Sequence, residues 1–471
     1  MSFPEQHEAL ISLQAKFALA FAAGADLDGI FLPGAQPTLL PRGSVHLFHS
    51  PHMYFSSDGT RADVTWESYG YEPGDTCSMV TTRFAASAVL TGDGWRYEEA
   101  DWTLMQRFAP LAGGGTLSSD QPAPLCGCTP SAHDSRVLRN LAGILAANNW
   151  RNVAQLFTAD AQVDLEDLTE GLVPATAWLR DAADYEAANG GRYRCLLLLG
   201  PGQLCTQDPA HTAGRWLVQT FEISSGAEPC IRRRVCLLDM TFARVDDRWR
   251  IAELKLRCIL SLPLLKGTGQ RYQRMTNPDG NWLYKVYNPD TPCEDIALDI
   301  ENIFSLWPIS VHRGELMHFF RRYLSRPETI LSIRSQGPRT PDKVGPAQIA
   351  EKLSGMDAVY KPGQLTYHCA TTPVLEQPDQ NTVLASWIDH SLTNLGPKED
   401  GRADYMVFVT RYDHVFQRVE GRWYLTRFNW EPCLGFPDGS FVSLPGRGQG
   451  WASDHPDERY PLPQGLNAIE A

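Results

Sequence analysis

Two residues in the C-terminal part of the chain have the types and spacing of a general acid–base pair. The segment 365–430 is rich in branched and aromatic residues and is punctuated by Pro-Asp-Gln-Asn and Glu-Gly turns, which predicts successive β-strands. His368 and Asp389 fall on neighbouring strands, and strand alternation puts Asp389 on the face of Trp387 and His390 on the opposite face. A histidine beside a carboxylate can take and return a proton near neutral pH. The alternative is a buried structural histidine and a surface aspartate.

A second candidate lies near the N-terminus, where His46, His49 and His52 occur close together. His46 or His49 could act as a catalytic base, and a structural role for both is the alternative. His46 and His52 share strand parity but His49 does not, so a three-histidine metal site would require a β-bulge. We therefore predict no metal.

Aromatic and amide side chains on the same predicted strands could hold a substrate. The tryptophans among them are also typical core residues, so their position in a pocket is an expectation. The candidate substrate-binding residues are Tyr54, Trp66, Tyr367, Trp387, Tyr412 and Asn429.

These strands belong to a pattern that the chain repeats three times. A proline precedes a tryptophan by 15, 15 and 14 positions, at Pro51–Trp66, Pro201–Trp216 and Pro373–Trp387. A second tryptophan follows a charged turn in each copy, at Trp95, Trp249 and Trp423. The period is on the order of 150 residues, which is the size of a domain rather than of a solenoid repeat.

The repeats predict three tandem domains and an irregular C-terminal tail. Helical periodicity precedes the strands in each copy, which is typical of the α+β class. We expect each domain to be a cone-shaped α+β barrel, a curved antiparallel sheet with helices on one face and a cavity between them. In the first domain only residues 31–41 occupy the place of a second helix, so its helical part is shortened. The predicted boundaries are 1–112, 133–266, 291–436 and, for the tail, 437–471.

Length and composition are consistent with three soluble domains. The 471 residues make three domains of about 150 residues each. The net charge of −13 argues against nucleic acid or an anionic membrane as a partner, and the sequence has no apolar run long enough to span a bilayer. The polar N-terminus and the odd count of 11 cysteines indicate free thiols in a reducing cytoplasm. Cys126-Gly-Cys128 supplies two thiols, fewer than the four ligands of a structural zinc site.

Each copy resembles the SnoaL-like branch of the nuclear-transport-factor-2-like superfamily, with the nearest resemblance to bile-acid 7α-dehydratase and its relatives. The motifs that carry the resemblance are the His46–Pro51 segment, the Gly214–Trp216 strand and the Asp-Gly-x-Trp or Glu-Gly-Arg-Trp turn before the last strand. The resemblance implies a cone-shaped fold and chemistry without a cofactor. Because the superfamily includes dehydratases, isomerases, cyclases and binding proteins, the fold alone does not fix the function.

The resemblance also implies where catalytic residues belong. In the dehydratases, a strand histidine five positions before the proline works with an aspartate and a tyrosine on the first helix. His46 and His368 match that histidine, whereas the second copy has Leu196 and is expected to be inactive. The helix aspartate and tyrosine have no match in any copy, and Asp389 is the nearest candidate for the carboxylate of the tryptophan strand.

Two functions remain open from the sequence, and a third possibility is a subunit that needs a separate catalytic partner. The first is a cofactor-independent lyase or isomerase, of dehydratase or hydratase type, acting on a hydrophobic ring-containing molecule such as a steroid or polyketide. The second is a non-catalytic small-molecule-binding or scaffold protein. Relatives that resemble trimers built through their sheets imply a covalent pseudo-trimer here, a monomer in solution or otherwise a low-order homo-oligomer.

Overall fold

A computed structural model gives the fold of the chain. It describes residues 2–38, 44–72, 77–108, 114–118, 122–147, 153–166, 169–188, 195–224, 230–263, 265–266, 287–291, 293, 295–313, 315–333, 341–357, 366–397 and 403–438. Within these ranges the strands form three sheets, each covered by its own helices. The predicted α+β class is confirmed, and three separate sheets are compatible with tandem domains. We call each sheet with its helices a unit.

The first unit is a four-stranded antiparallel meander with one helix across its inner face. Its elements are α1 (Phe3–Ala22), β1 (Val45–Phe55), β2 (Arg61–Glu72), β3 (Ser78–Thr91) and β4 (Gly94–Arg107). Helix α1 starts at a capping box in which Ser2 and Glu5 satisfy each other's backbone N–H groups. Residues 23–38 form turns and a short bridge rather than a helix.

The second unit has an eight-stranded sheet in which β6 pairs in parallel with β11 and the long strands pair antiparallel. Its strands are β5 (Thr116–Leu117), β6 (Phe157–Asp164), β7 (Val173–Pro174), β8 (Cys195–Asp208), β9 (His211–Ser224), β10 (Cys230–Val245), β11 (Arg248–Ser261) and β12 (Leu265–Lys266). Its helices are α2 (Ala132–Ala147) and α3 (Ala175–Ala188).

The third unit has a seven-stranded sheet with the same order of long strands. Its strands are β13 (Ile330–Ile333), β14 (Lys343–Val344), β15 (Thr366–Ala370), β16 (Val374–Asp379), β17 (Thr382–Pro397), β18 (Ala403–Val419) and β19 (Arg422–Asp438). Its helices are α4 (Ala297–Arg313), α5 (Leu316–Phe319), which continues into a π-helical turn (Phe320–Leu324), and α6 (Gly345–Asp357). Strand β19 ends at Asp438, close to the predicted start of the tail at residue 437, and the predicted domain boundaries stay predictions. Residues 439–471 lie outside the described ranges.

The repeated tryptophan occupies the same place in each unit. Trp66, Trp216 and Trp387 lie on β2, β9 and β17 and are no more than 2% exposed. In the third unit the indole of Trp387 stacks on Phe304 of α4, with ring centroids 3.8 Å apart. All three tryptophans are therefore core residues, as their residue type favours, and Trp387 anchors α4 to its sheet.

The outer faces of the three sheets meet one another. The hydroxyl of Tyr71 in the first unit donates a 3.0 Å hydrogen bond to Oε1 of Gln219 in the second. His390 of the third unit packs edge-on against Tyr69 of the first and lies 5.7 Å from the ring of Phe221 of the second. The interior of the molecule is thus shared by all three sheets, and each sheet has one face in its own unit and one in this common core.

The first helices of the units are joined by a buried charge network. Arg136 of α2 donates to Glu8 of α1 at 2.6 Å and to Glu301 of α4 at 2.8 Å, and Arg139 also donates to Glu8. His7 lies 3.2 Å from Glu301. All four charged side chains of the arginine–glutamate network are no more than 4% exposed. A buried charge is tolerated only when it is paired, so these contacts fix the helices relative to one another.

Candidate functional site

The structure brings His368 and Asp389 into direct contact. Residue 368 of β15 lies opposite Ser391 of β17, and residue 370 lies opposite Asp389, so the two side chains are diagonal neighbours on one face of the sheet. The Nδ1 atom of His368 lies 2.6 Å from Oδ2 of Asp389. The side chains are 8% and 2% exposed. This distance is that of a strong, charge-assisted hydrogen bond.

The contact sets the chemistry of the histidine ring. An anionic carboxylate accepts a hydrogen bond but cannot donate one, so the proton between the two residues belongs to Nδ1 of His368. In the neutral ring the basic lone pair is then on Nε2, as in other His–carboxylate pairs that act as bases. The other carboxylate oxygen of Asp389, Oδ1, is buried and has no hydrogen-bond partner.

Aromatic side chains surround the inner face next to this pair. Tyr412 stacks on Trp430 with ring centroids 6.2 Å apart, and His414 packs against Phe428 at 4.5 Å. Burial lowers the pKa of His414 to about 3, so its ring is neutral. Sequence reasoning missed His414, although its parity with Tyr412 places it on the inner face.

Two predicted substrate-binding residues of this segment do not join the pair. Tyr367 points away from His368 into the common core, where its hydroxyl donates to the backbone carbonyl of Ser68 at 2.8 Å. Asn429 pairs in register with Asp413, on the sheet face opposite to Tyr412. Trp387 and Tyr412 do lie on the inner face with the pair.

In the first unit, His46 occupies the position that corresponds to His368 but has a different partner. Its Nδ1 atom lies 3.3 Å from the hydroxyl of Ser68, which stands where Asp389 stands in the third unit. The ring packs edge-on against Phe21 and Trp102, and burial lowers its pKa to about 3. A hydroxyl stabilises an imidazolium far less than a carboxylate does, so the geometry favours His368 as the base.

The other two histidines of the cluster point elsewhere. The strand register breaks between His49 and His52, which is the bulge that parity required. His49 nevertheless stacks on Tyr69 in the common core, with ring centroids 5.2 Å apart, and His52 lines a cleft beside α4. In the described part of the chain, no three His, Cys, Asp or Glu side chains converge as metal ligands would.

The remaining candidates of the first unit lie apart from His46. Tyr54 is 54% exposed and lines a groove of about 660 Å³ that also takes in Arg83 and Glu99. Trp66 is 1% exposed and borders a cavity of about 10 Å³ near Pro51, which is barely large enough for one water.

The cleft beside α4 has a volume of about 700 Å³. Neither this cleft, nor the groove at Tyr54, nor the cavity at Trp66 is lined by His368, Asp389 or His46. Within the described ranges, no helix has the length and apolar character needed to cross a membrane.

Comparison with known proteins supports the resemblance for part of the chain. Residues 135–255, which lie within the second unit, match the SnoaL-like domain family. No curated protein matches the chain at a significant level. The resemblance of the other two units, and the one to bile-acid 7α-dehydratase, stay predictions.

Solved structures that resemble this chain cover about a third of it. One is the hexachlorocyclohexane dehydrochlorinase LinA-type3 from Novosphingobium barchaimii LL02, with 16% identity, 31% of this chain and 92% of that chain covered, and a TM-score of 0.26. Another is a nuclear-transport-factor-2-like protein with a cystatin-like fold from Novosphingobium aromaticivorans, with 20% identity, 27% and 82% coverage, and a TM-score of 0.21.

Proposed function

We propose that the chain is a cofactor-independent lyase or isomerase, of dehydratase or hydratase type, whose active unit is the third. The observation that carries this proposal is the 2.6 Å contact between Nδ1 of His368 and Oδ2 of Asp389, buried on the inner face of the sheet. Such a pair supplies a neutral base with a fixed tautomer without any metal or cofactor.

The proposed reaction is proton abstraction next to a carbonyl followed by loss of water. Nε2 of His368 takes the proton from the carbon, the electron pair of the broken C–H bond forms the new C=C bond, and the C–O bond of the hydroxyl group breaks. The imidazolium then gives its proton to the departing hydroxide, which leaves as water, so the ring returns to its starting state. Asp389 stabilises the imidazolium while it exists, which is the role of the carboxylate in a His–carboxylate pair.

A hydrophobic, ring-containing substrate such as a steroid or polyketide fits the character of the inner face. Trp387 and Tyr412 are aromatic residues of this face, 2% and 1% exposed, and aromatic rings bind other flat rings through burial and stacking. The Oδ1 atom of Asp389 offers a hydrogen-bond acceptor for the hydroxyl group of a hydroxyketone.

The test is incubation of the protein with 3-oxo steroids and polyketide-like hydroxyketones, followed by mass spectrometry for the loss of one water. We expect turnover that falls at least about a hundredfold in His368→Ala and in Asp389→Asn, since general acid–base groups typically contribute that much. His211→Ala is the matched control, because His211 and Asp208 form a His–Asp pair that is about half exposed, with a 3.0 Å contact in the second unit. Turnover that survives in both third-unit variants would remove the assignment.

The second candidate, a non-catalytic binding or scaffold protein, is favoured by one observation. Phe304 packs on Trp387 over the inner face, with ring centroids 3.8 Å apart, where a substrate ring would have to lie. This function predicts ligand binding with no chemical change in the same assay, and affinity that is insensitive to Asp389→Asn.

A further inference from the structure

A separate cleft lies outside the third sheet. It is enclosed by α4, the π-helical turn 320–324, the start of β19 and the end of β1 from the first unit. Helix α4 separates it from the inner face, because Phe304 contacts the sheet whereas Asn302 and Ile303 line the cleft. With a volume of about 700 Å³, the cleft is in the size range of small-molecule sites.

The cleft carries an excess of positive charge in a chain whose net charge is −13. Arg321 and Arg322 of the π-helical turn and Arg422 of β19 line it, and all three are exposed. None of the three forms an ion pair with another described residue, and Asp299 is the one carboxylate among the described lining residues. Guanidinium groups at the edge of a cleft that have no carboxylate partner among the described residues are suited to carboxylate or phosphate oxygens.

The walls of the cleft supply flat apolar surface. Tyr323, Trp423 and Tyr424 line it, and Trp423 is 8% exposed. The guanidinium of Arg322 lies 5.9 Å from the ring of Tyr323, and that of Arg326 lies 5.5 Å from the ring of Tyr424. Aromatic rings next to guanidinium groups can stack a planar ligand body while the charge is held beside it.

One buried group lining the cleft lacks a partner. His52 is 6% exposed, and its Nδ1 atom is buried without a hydrogen bond. The neighbouring backbone is fixed, because Met53 exchanges two hydrogen bonds, of 2.9 and 2.7 Å, with the side chain of Asn302. An unsatisfied buried polar atom is unfavourable unless something else occupies the site, so His52 points to a ligand or to water in the cleft.

We propose that this cleft is a second binding site, which takes a small organic anion, a carboxylate or phosphate ester carried on a flat ring. Arg321 and Arg322 hold the anionic group, Tyr323 and Trp423 contact the ring, and His52 hydrogen-bonds a polar atom of the ligand. The two arginines are consecutive in a π-helical turn, a backbone form that occurs often at functional sites. This proposal is independent of catalysis in the third unit.

The first experiment measures the binding of 1-naphthoate, phenyl phosphate and the uncharged 1-naphthylmethanol by titration calorimetry. We expect the wild-type protein to bind at least one of the two anions more tightly than the alcohol, and Arg321→Gln/Arg322→Gln to bind it at least about tenfold more weakly, since each lost charge-assisted hydrogen bond is substantial. The matched control is Arg180→Gln/Arg248→Gln, which removes the same charge from side chains that are 74% and 64% exposed in the second unit.

Three results would overturn the proposal: no binding of either anion to wild type at millimolar concentration, equal affinity for anion and alcohol, or equal losses in the cleft and control variants. His52→Phe keeps a flat ring but removes both nitrogens. We expect it to weaken anion binding several-fold while the urea midpoint changes little, and unchanged affinity would exclude the contact assigned to His52.

Discussion

The hydroxyl of Tyr367 donates a 2.8 Å hydrogen bond to the backbone carbonyl of Ser68, although the next residue, His368, contacts Asp389 on the other face of the sheet. Consecutive residues of one strand thus serve two different surfaces. Because side chains alternate, each central strand has an inner face for its own unit and an outer face for the core shared by the three units. A change on the outer face is therefore expected to affect assembly before it affects the candidate site.

The first prediction concerns the charge network between the helices. Although burial alone raises the pKa of Glu301, the charges of Arg136 and His7 lower it to about 2. Arg136→Met would leave Glu8 and Glu301 buried without this partner, so we expect a loss of about 3–5 kcal/mol in the free energy of unfolding, measured with urea. The control is Arg61→Met, because Arg61 is 58% exposed in its pair with Glu98 and exposed pairs contribute at most about 1 kcal/mol. Equal losses in the two variants would contradict the role of the network.

The second prediction concerns the glycine that makes room for a repeated tryptophan. A Cβ atom at Gly202 would lie 2.0 Å from Nε1 of Trp216, an impossible contact with a buried ring. We expect Gly202→Ala to lower the free energy of unfolding by about 1–3 kcal/mol through overpacking. Gly92→Ala is the matched control, since nothing lies within 4 Å of a Cβ atom there. A Gly202→Ala protein as stable as the control would show that the indole moves without penalty.

Local patterns predicted the strands and the His368–Asp389 contact because both depend on strand alternation within about 20 residues. His49 lies on the face opposite to His46, as parity indicates, and Asn429 lies on the face opposite to Tyr412, so neither joins its candidate group. The pairing of Arg136 with Glu8 could not be read from the chain, because 128 residues separate them. The cleft likewise depends on β1 meeting α4, an approach set by packing between units.

The third prediction concerns acid unfolding. Burial lowers the pKa of His46 from 6.5 to about 3, so the unfolded chain binds a proton at this residue that the folded protein excludes. The neutral histidine is compatible with folding above pH 6.5, and stability is lost as the pH falls from 6.5 towards 3. His46→Phe removes this titration, so we expect its stability relative to wild type to rise by up to about 1.4 kcal/mol per pH unit below the unfolded pKa.

The measurement is the free energy of unfolding in urea at several pH values from alkaline to mildly acidic. Above pH 7 the difference in the free energy of unfolding between His46→Phe and wild type should be constant. This constant difference measures the effect of the substitution on packing and serves as the internal reference. A difference that stays constant down to pH 4.5 would show that His46 is protonated without penalty in the folded protein.

The last prediction concerns assembly. We propose that the three units form a covalent pseudo-trimer, because their outer faces already bury one another. The hydroxyl of Tyr71 is hydrogen-bonded to Gln219, and His390 packs between Tyr69 and Phe221. In a cyclic trimer the interface of every subunit is occupied by a neighbouring subunit. In a fused trimer, therefore, no outer face at the centre is left to bind another chain. We therefore expect light scattering after size exclusion to give the mass of one chain, 52.5 kDa, with a compact small-angle scattering envelope. A mass of two or more chains would instead indicate a homo-oligomer, and an extended envelope would indicate that the units do not pack on a common core in solution.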